Sequence, residues 1–232
     1  MKQKSIIFDS NEVKAVLEGR KIQTRKLVEV DDLKRDLGWD NRHQFKMRDS
    51  SVEFTRTLRS DITPHVVQSS KMLEKDFIDT YAPYRVGDII FVKETWGRLR
   101  WQEDPESDIY KYKLVYRATD EYPFGVEGYQ MPVYWNQSTY MKKDEARIWL
   151  KILDITLEGI QAATQSDIRE EGFNLDYHDF PSYYDYCIAL EDAFKSMWHT
   201  RTRRKDQSKY GWDANPWVWR IVFERIDGDK NG

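Results

Sequence analysis

Twenty residues into the chain, Leu17-Glu18-Gly19-Arg20-Lys21-Ile22-Gln23-Thr24-Arg25-Lys26 sets the cations Arg20, Lys21, Arg25 and Lys26 and the Thr24 hydroxyl behind a single glycine. Such a cluster is either a solvated helix exit or the wall of a site that takes an anion. A second dense basic run, Arg201-Thr202-Arg203-Arg204-Lys205, is followed by Tyr210 and Trp212 and could clamp a strand. The formal net charge of -3 argues against a surface that is one phosphate-binding field, but it leaves room for a local basic groove. Cys187 is the one cysteine, so no intrachain disulfide and no thiolate zinc cluster can form. His43, His65, His178 and His199 are scattered without ligand spacing, so neither a structural metal nor a cofactor is expected.

Hydrophobic residues make up 40% and charged residues 33% of the 232 positions, a globular balance with a heavily charged surface. The nine Trp and 14 Tyr exceed the ordinary needs of a core, so some must fill a barrel interior or form stacking surfaces. The opening Met1-Lys2-Gln3-Lys4-Ser5-Ile6-Ile7 lacks the apolar run of a signal peptide, and no stretch is long and apolar enough to span a membrane. The expectation is a cytoplasmic chain of one elaborated domain over residues 1–232.

The elements that would position these side chains can be read in part. Asp9 with Glu12 three residues on is a capping signature; Val13, Val16 and Leu17 then make one apolar stripe, and Gly19 is placed to end the helix. Residues 28–80 carry mixed charge and weak periodicity, which predicts an insertion with a strand over Ser51–Leu58 and a short helix over Ser70–Tyr81. Ile89-Ile90-Phe91-Val92 after the Gly87-Asp88 turn, Lys111–Ala118, the long Arg147–Leu157 and the terminal Asn215–Ile226 read as strands. Thr164 to Asp167 caps a short helix ending at Gly172, and Pro181–Asp185 opens a longer one to about His199 with Cys187, Leu190, Phe194 and Trp198 on one face. Trp217 and Trp219 alternate on the last strand as core residues. The strands and helices do not alternate as βαβ units, so the fold class is α+β with a mostly antiparallel, curled sheet. Residues 227–232 read as a flexible tail.

In this order, Gly19-Arg20-Lys21-Ile22-Gln23-Thr24, "GDIIFVKETW", "VYRA", "STYMKKDEARIWLKILDI", "SDIREEGF" and "NPWVWRIVFERI" resemble the ASCH domain, within the PUA-like β-barrels, and in particular a long, aromatic-rich variety common in phages and prophages. The resemblance covers most of residues 6–27 and 84–226. It implies a small curled barrel whose central cleft, beside the glycine-lysine motif, takes RNA or a nucleobase. A smaller member of that family is an amidohydrolase acting on acetylcytidine, and by motif position its lysine, threonine and glutamate correspond to Lys21, Thr24 and Glu171.

Two uses of these residues follow from that resemblance. In a binding site, Lys21 with Arg20, Arg25 and Lys26 would contact phosphate, with Arg117 and Arg147 adding to it; Trp96 would stack on a base, and Glu94 or Glu171 would accept from an exocyclic amine. In a hydrolase, Thr24 would be the nucleophile, Lys21 its base and Glu171 an acid or base, with no metal required. Ribonuclease activity and a phage interaction protein that merely keeps the fold are the remaining alternatives. Each residue also has a plain reading: Lys21 and Thr24 as a polar helix exit, Glu171 as a helix end, and Trp96 as a plug.

Overall fold

The computed structural model describes residues 4–29, 43–48, 51–59, 64–102, 106, 108–120, 129–130 and 133–226. The 227–232 tail and parts of the 28–80 excursion lie outside them. In chain order the strands are β1 (Ser5–Ile7), β2 (Gln23–Leu27), β3 (His43–Arg48), β4 (Ser51–Arg59), β5 (Pro64–Leu73), β6 (Ile89–Lys93), β7 (Trp96–Gln102), β8 (Lys111–Tyr116), β9 (Tyr129–Gln130), β10 (Trp149–Gly159) and β11 (Trp217–Ile226). The α-helices are α1 (Ser10–Leu17), α2 (Glu74–Tyr81), α3 (Gln165–Glu170), α4 (Tyr183–Arg201) and α5 (Gln207–Tyr210).

β10 and β11 are the spine. They pair antiparallel from Trp149↔Ile226 to Gly159↔Trp217, with an irregularity between Ile152 and Asp154 that bends the pair. β6 and β2 flank them antiparallel, and β1 adds to β6 in parallel, giving the order β1-β6-β10-β11-β2. The sheet is therefore mostly antiparallel, with one parallel edge that a three-residue strand gave no means of foreseeing. Its two edges, β1 and β2, both line one cleft. The sheet thus curls until its edges face the same space, but no backbone pairing joins them, and no closed barrel forms among the described residues.

Alternation along β11 sorts the core into two layers. Trp219, Ile221 and Phe223 join Ile90, Val92, Leu150 and Ile152 of the sheet and Val13 and Val16 of α1. Val218, on the opposite face, packs with Leu190, Phe194 and Trp198 of α4. Each such side chain, fully buried, contributes about 1.5–3 kcal/mol of transfer free energy. Trp219 is thus a core residue and Trp217 is partly buried against the same cluster, as expected for both. The Trp198 indole donates to the Tyr210 carbonyl at 2.9 Å, which ties the end of α4 to α5.

The 28–80 excursion holds a three-stranded sheet, β3-β4-β5. The strand expected at Ser51–Leu58 is β4. The helix expected over Ser70–Tyr81 begins at Glu74, because residues up to Leu73 continue β5 paired with Ser51. This segment joins the main core: Val52 and Phe77 belong to its buried cluster, and the Phe77 ring stacks on Trp219 at 5.6 Å between centroids. A second three-stranded sheet, β8-β7-β9, includes the unforeseen strand β7. Among the described residues no helix is long and apolar enough to cross a membrane.

Candidate functional site

The helix exit is held by backbone bonds before any side chain acts. Asp9 accepts from the Asn11 and Glu12 amides, and the Glu12 carboxylate accepts from the Asp9 amide, so the capping box is complete. At the other end Gly19 takes φ +75°, a left-handed conformation that glycine adopts without a Cβ penalty. The Arg20 and Lys21 amides then both donate to the Ala15 carbonyl, at 2.8 and 3.0 Å. Ile22 donates to the Glu170 carbonyl at 2.9 Å, and Lys21 forms an antiparallel bridge with Glu171. The chain leaving α1 is therefore strapped to the chain leaving α3. Gly172, at φ +99°, completes the crossing: a Cβ there would stand 2.7 Å from the Ala15 Cβ and 3.1 Å from the Lys21 Cβ.

This crossing buries Lys21 and Glu171 against each other. Lys21 Nζ donates to Glu171 Oε2 at 2.8 Å and to the Glu171 carbonyl at 3.0 Å, and lies 3.3 Å from Glu12 Oε1. The Lys21 and Glu171 side chains are 1% and 2% exposed. The Phe8 ring lies 5.2 Å from the ammonium, giving it a π face on one side. The other Glu171 oxygen accepts from Arg25 Nη1 at 3.2 Å. Arg25 also donates through Nε to Glu158 at 2.7 Å, while its Nη2 is 3.6 Å from Asp167 and makes no hydrogen bond. Charges this deep are tolerated only when paired.

Asp167 extends the network. Its carboxyl receives the Gln23 amide at 3.0 Å and lies 3.3 Å from Arg220 Nη2. Partial burial would raise its pKa, but hydrogen bonds from Thr164 and Gln23 and the Arg25 charge outweigh that and hold it down at about 2. On the solvent side, Arg201 at the end of α4 binds Asp9 at 3.0 Å and Glu12 at 2.8 Å. Glu12 thus joins Arg201 to Lys21.

Two cavities adjoin this network, and Asp9, Glu12 and Arg201 line both. The first, about 460 Å³, is walled by Arg20, Lys21, Glu171, Phe173 and Met197. The second, about 520 Å³, lies between the edge strands and is walled by Ser5 to Phe8, Thr24, Lys26, Lys93 and Thr139. Strand alternation turns Gln23 and Arg25 towards Asp167 and Thr24 and Lys26 to the other face, although Arg25 also lines the second cavity. The Thr24 hydroxyl makes no hydrogen bond within the described residues, so its donor and acceptor are free for whatever enters the second cleft.

The site residues read from the sequence fall into three groups. Lys21 and Glu171 meet directly, and Lys26 and Thr24 line the second cleft, but Thr24 is not hydrogen-bonded to Lys21 or Glu171. Arg25, expected to meet a ligand, is instead buried and held by three carboxylates, all more than 130 positions away in sequence. Arg20 donates to Glu18 at 2.7 Å and to the Gly172 carbonyl, and belongs to the first cavity. Glu94, Trp96, Arg117 and Arg147 lie outside both cavities. Glu94 and Arg147 make a two-pronged ion pair, both bonds 2.9 Å, which uses the groups that a ligand would need. Trp96 is buried, so it plugs the end of its sheet rather than offering a stacking face. Arg117 is exposed, its amide tied to the Thr95 carbonyl. Of the basic run at the end of α4, Arg201 reaches the cleft, and Trp212 packs edge-on to Phe194 in the core instead of clamping a strand.

Glu12 and Lys93 are site residues that the sequence does not mark as such. Glu12 was read only as a cap, and it serves as both cap and ion partner. Lys93 ends an apolar strand, and nothing in its neighbours marks the cleft. Among the described residues no group of His, Cys, Asp and Glu side chains gathers in a way that would hold a metal ion. No family model, curated protein or solved structure matches this chain.

Proposed function

We propose that the cleft beside Thr24 binds a nucleobase, carried on a nucleoside or on RNA, within an ASCH-type, PUA-like domain. The observation that carries this reading is the Thr24 hydroxyl, unpartnered among the described residues and set in a cleft of about 520 Å³ between the two sheet edges. That volume falls within the usual range for small-ligand clefts, roughly 300–1,000 Å³. The wall from Ile6 to Phe8 is apolar and aromatic, as a planar ring requires, while the Thr24 hydroxyl offers a donor and an acceptor that would orient its polar edge. The order of motifs along the chain supports the family assignment, and the curl of the sheet towards one cleft supports the PUA-like reading.

The test is calorimetric titration with cytidine, acetylcytidine and a short RNA. Binding should weaken about tenfold in Thr24→Val, the worth of one well-made hydrogen bond. If none of the three ligands binds, or if Thr24→Val binds as tightly as the native chain, the reading is wrong.

A second reading, amide hydrolysis, rests on the resemblance: Lys21 and Glu171 meet at 2.8 Å, but they line the first cavity and Thr24 lines the second. Thr24 would attack the acyl carbon and give up its proton to a base; Lys21, the base that the resemblance implies, lines the other cavity and is not hydrogen-bonded to Thr24 among the described residues. The C–N bond would then break, the amine leaving with a proton, and water would release the acid from the acyl-threonine. Acetate release from acetylcytidine that disappears in Thr24→Ala would establish this; no release by the native chain leaves recognition alone.

A further inference from the structure

Around the Thr24 cleft most cations are already neutralised. Lys21 and Arg25 are buried among carboxylates, Lys4 meets Asp88 at 2.7 Å, and Arg201 meets Asp9 and Glu12. Two are not. Lys26 Nζ has one hydrogen bond, to the Tyr84 hydroxyl at 3.4 Å, and Lys93 Nζ has one, to the Thr139 carbonyl at 3.1 Å. Neither meets a carboxylate among the described residues. Both line the same cleft, Lys26 on the edge strand β2 and Lys93 at the end of β6, where it pairs in register with Ile7 of the other edge strand.

Lys26 makes no ion pair among the described residues, although the Glu29 charge is near enough to raise its pKa. Tyr84 donates its hydroxyl to the Ser5 carbonyl at 2.8 Å. Burial, with the Asp88 charge adding to it, pushes that hydroxyl up to about 12, so it remains neutral and supplies no anion. Partial burial lowers the Lys26 pKa and the Glu29 charge opposes that, while the residue as a whole stays exposed. An anion at the rim would improve that environment. Among the described residues Lys93 meets a neutral carbonyl and the Phe91 ring, 5.9 Å away, and a lysine ammonium has three donors to offer.

We propose that Lys26 and Lys93 form a phosphate subsite at the rim of this cleft, so that its ligand is a phosphorylated nucleoside: a nucleotide or a base within an RNA strand. The proposal rests on the reading that the cleft takes a nucleobase and names the group attached to that base. It also relocates the phosphate contact. Of the four cations in the glycine-lysine stretch only Lys26 takes part, and the partner comes from β6 instead of from Arg20, Lys21 or Arg25.

The experiment compares cytidine, cytidine 5′-monophosphate and a cytidine-containing RNA trimer by calorimetry at low and moderate salt. In the native chain at least one phosphate-bearing ligand should bind about tenfold tighter than cytidine at low salt, the worth of one hydrogen bond to a charged group. That advantage should shrink as salt rises. Lys26→Gln and Lys93→Gln should each cut the ratio to about threefold, and the double variant should abolish it. A gain for the monophosphate alone assigns the site to nucleotides, and a gain for the trimer alone assigns it to a phosphodiester. If cytidine binds and neither phosphate-bearing ligand gains, or if the gain persists in the double variant, the subsite is refuted and base recognition stands. If no ligand binds at all, both fall. The salt dependence of the native chain decides the matter even where a variant folds poorly.

Discussion

Replacing Lys21 with methionine removes a cation from a place where its partner cannot turn to water. Glu171 would keep Arg25 on one oxygen, at 3.2 Å, but lose the ammonium at 2.8 Å on the other, in a site where its side chain is 2% exposed. Removing one partner of a buried ion pair costs about 3–5 kcal/mol, because the charge left behind is poorly solvated. Arg25 remains for Glu171 and Arg201 remains for Glu12, so the lower end, about 3 kcal/mol, is expected. For a chain of this size that lowers the melting temperature by roughly 6–12 °C. The internal control is Lys151→Met, whose partner Glu224 lies at 3.5 Å with both side chains 48% exposed. There the loss should stay within about 0.5 kcal/mol. Urea unfolding of both variants measures the difference. Equal losses from the two substitutions would refute the argument, since Lys21 would then be as well screened by solvent as a surface lysine.

Other outcomes follow from the same structure. Gly172→Ala forces a side chain into φ +99° and against Ala15 and Lys21, so thermal unfolding should show a loss of about 1–3 kcal/mol; an unchanged melting temperature would mean that the turn relaxes freely. Asp167 has a folded-state pKa of about 2, below its ordinary 3.8, so its ionised form favours folding. That contribution is complete above about pH 4 and is lost as pH falls through about 2, and an acid titration of Asp167→Asn should lack this step of stability. Phe77→Ala should cost about 3–5 kcal/mol by denaturant unfolding, because it opens the joint between α2 and Trp219; a cost under about 1 kcal/mol would show that the 28–80 excursion is only loosely attached.

What was legible in the sequence was local. The capping box at Asp9, the glycine that ends α1, the apolar face of α4 and the alternation of β11 are each written within about ten residues, and each appears in the structure as read. The excursion gave less away: β3 to β5 have weak apolar periodicity because their stability depends on pairing with one another and on Val52 and Phe77 reaching the main core. The parallel edge strand β1 is too short to carry a pattern. At the site, residue type predicted the contact between Lys21 and Glu171 through the family resemblance. The fate of Arg25 was hidden because an arginine beside other cations reads as exposed, and the carboxylates that bury it, Glu158, Asp167 and Glu171, come from β10 and from α3 and its end. Lys93 was hidden for the opposite reason: its role comes from what it does not meet.

The central claim is that a nucleobase occupies the cleft between β1 and β2. The most direct measurement is a crystal structure of the protein with cytidine bound. The base should lie in this cleft, its polar edge within hydrogen-bond reach of the Thr24 hydroxyl and its ring against the Ile6–Phe8 wall. Cytidine in the other cavity, beside Arg20 and Phe173, or held at Glu94 and Arg147, would contradict it.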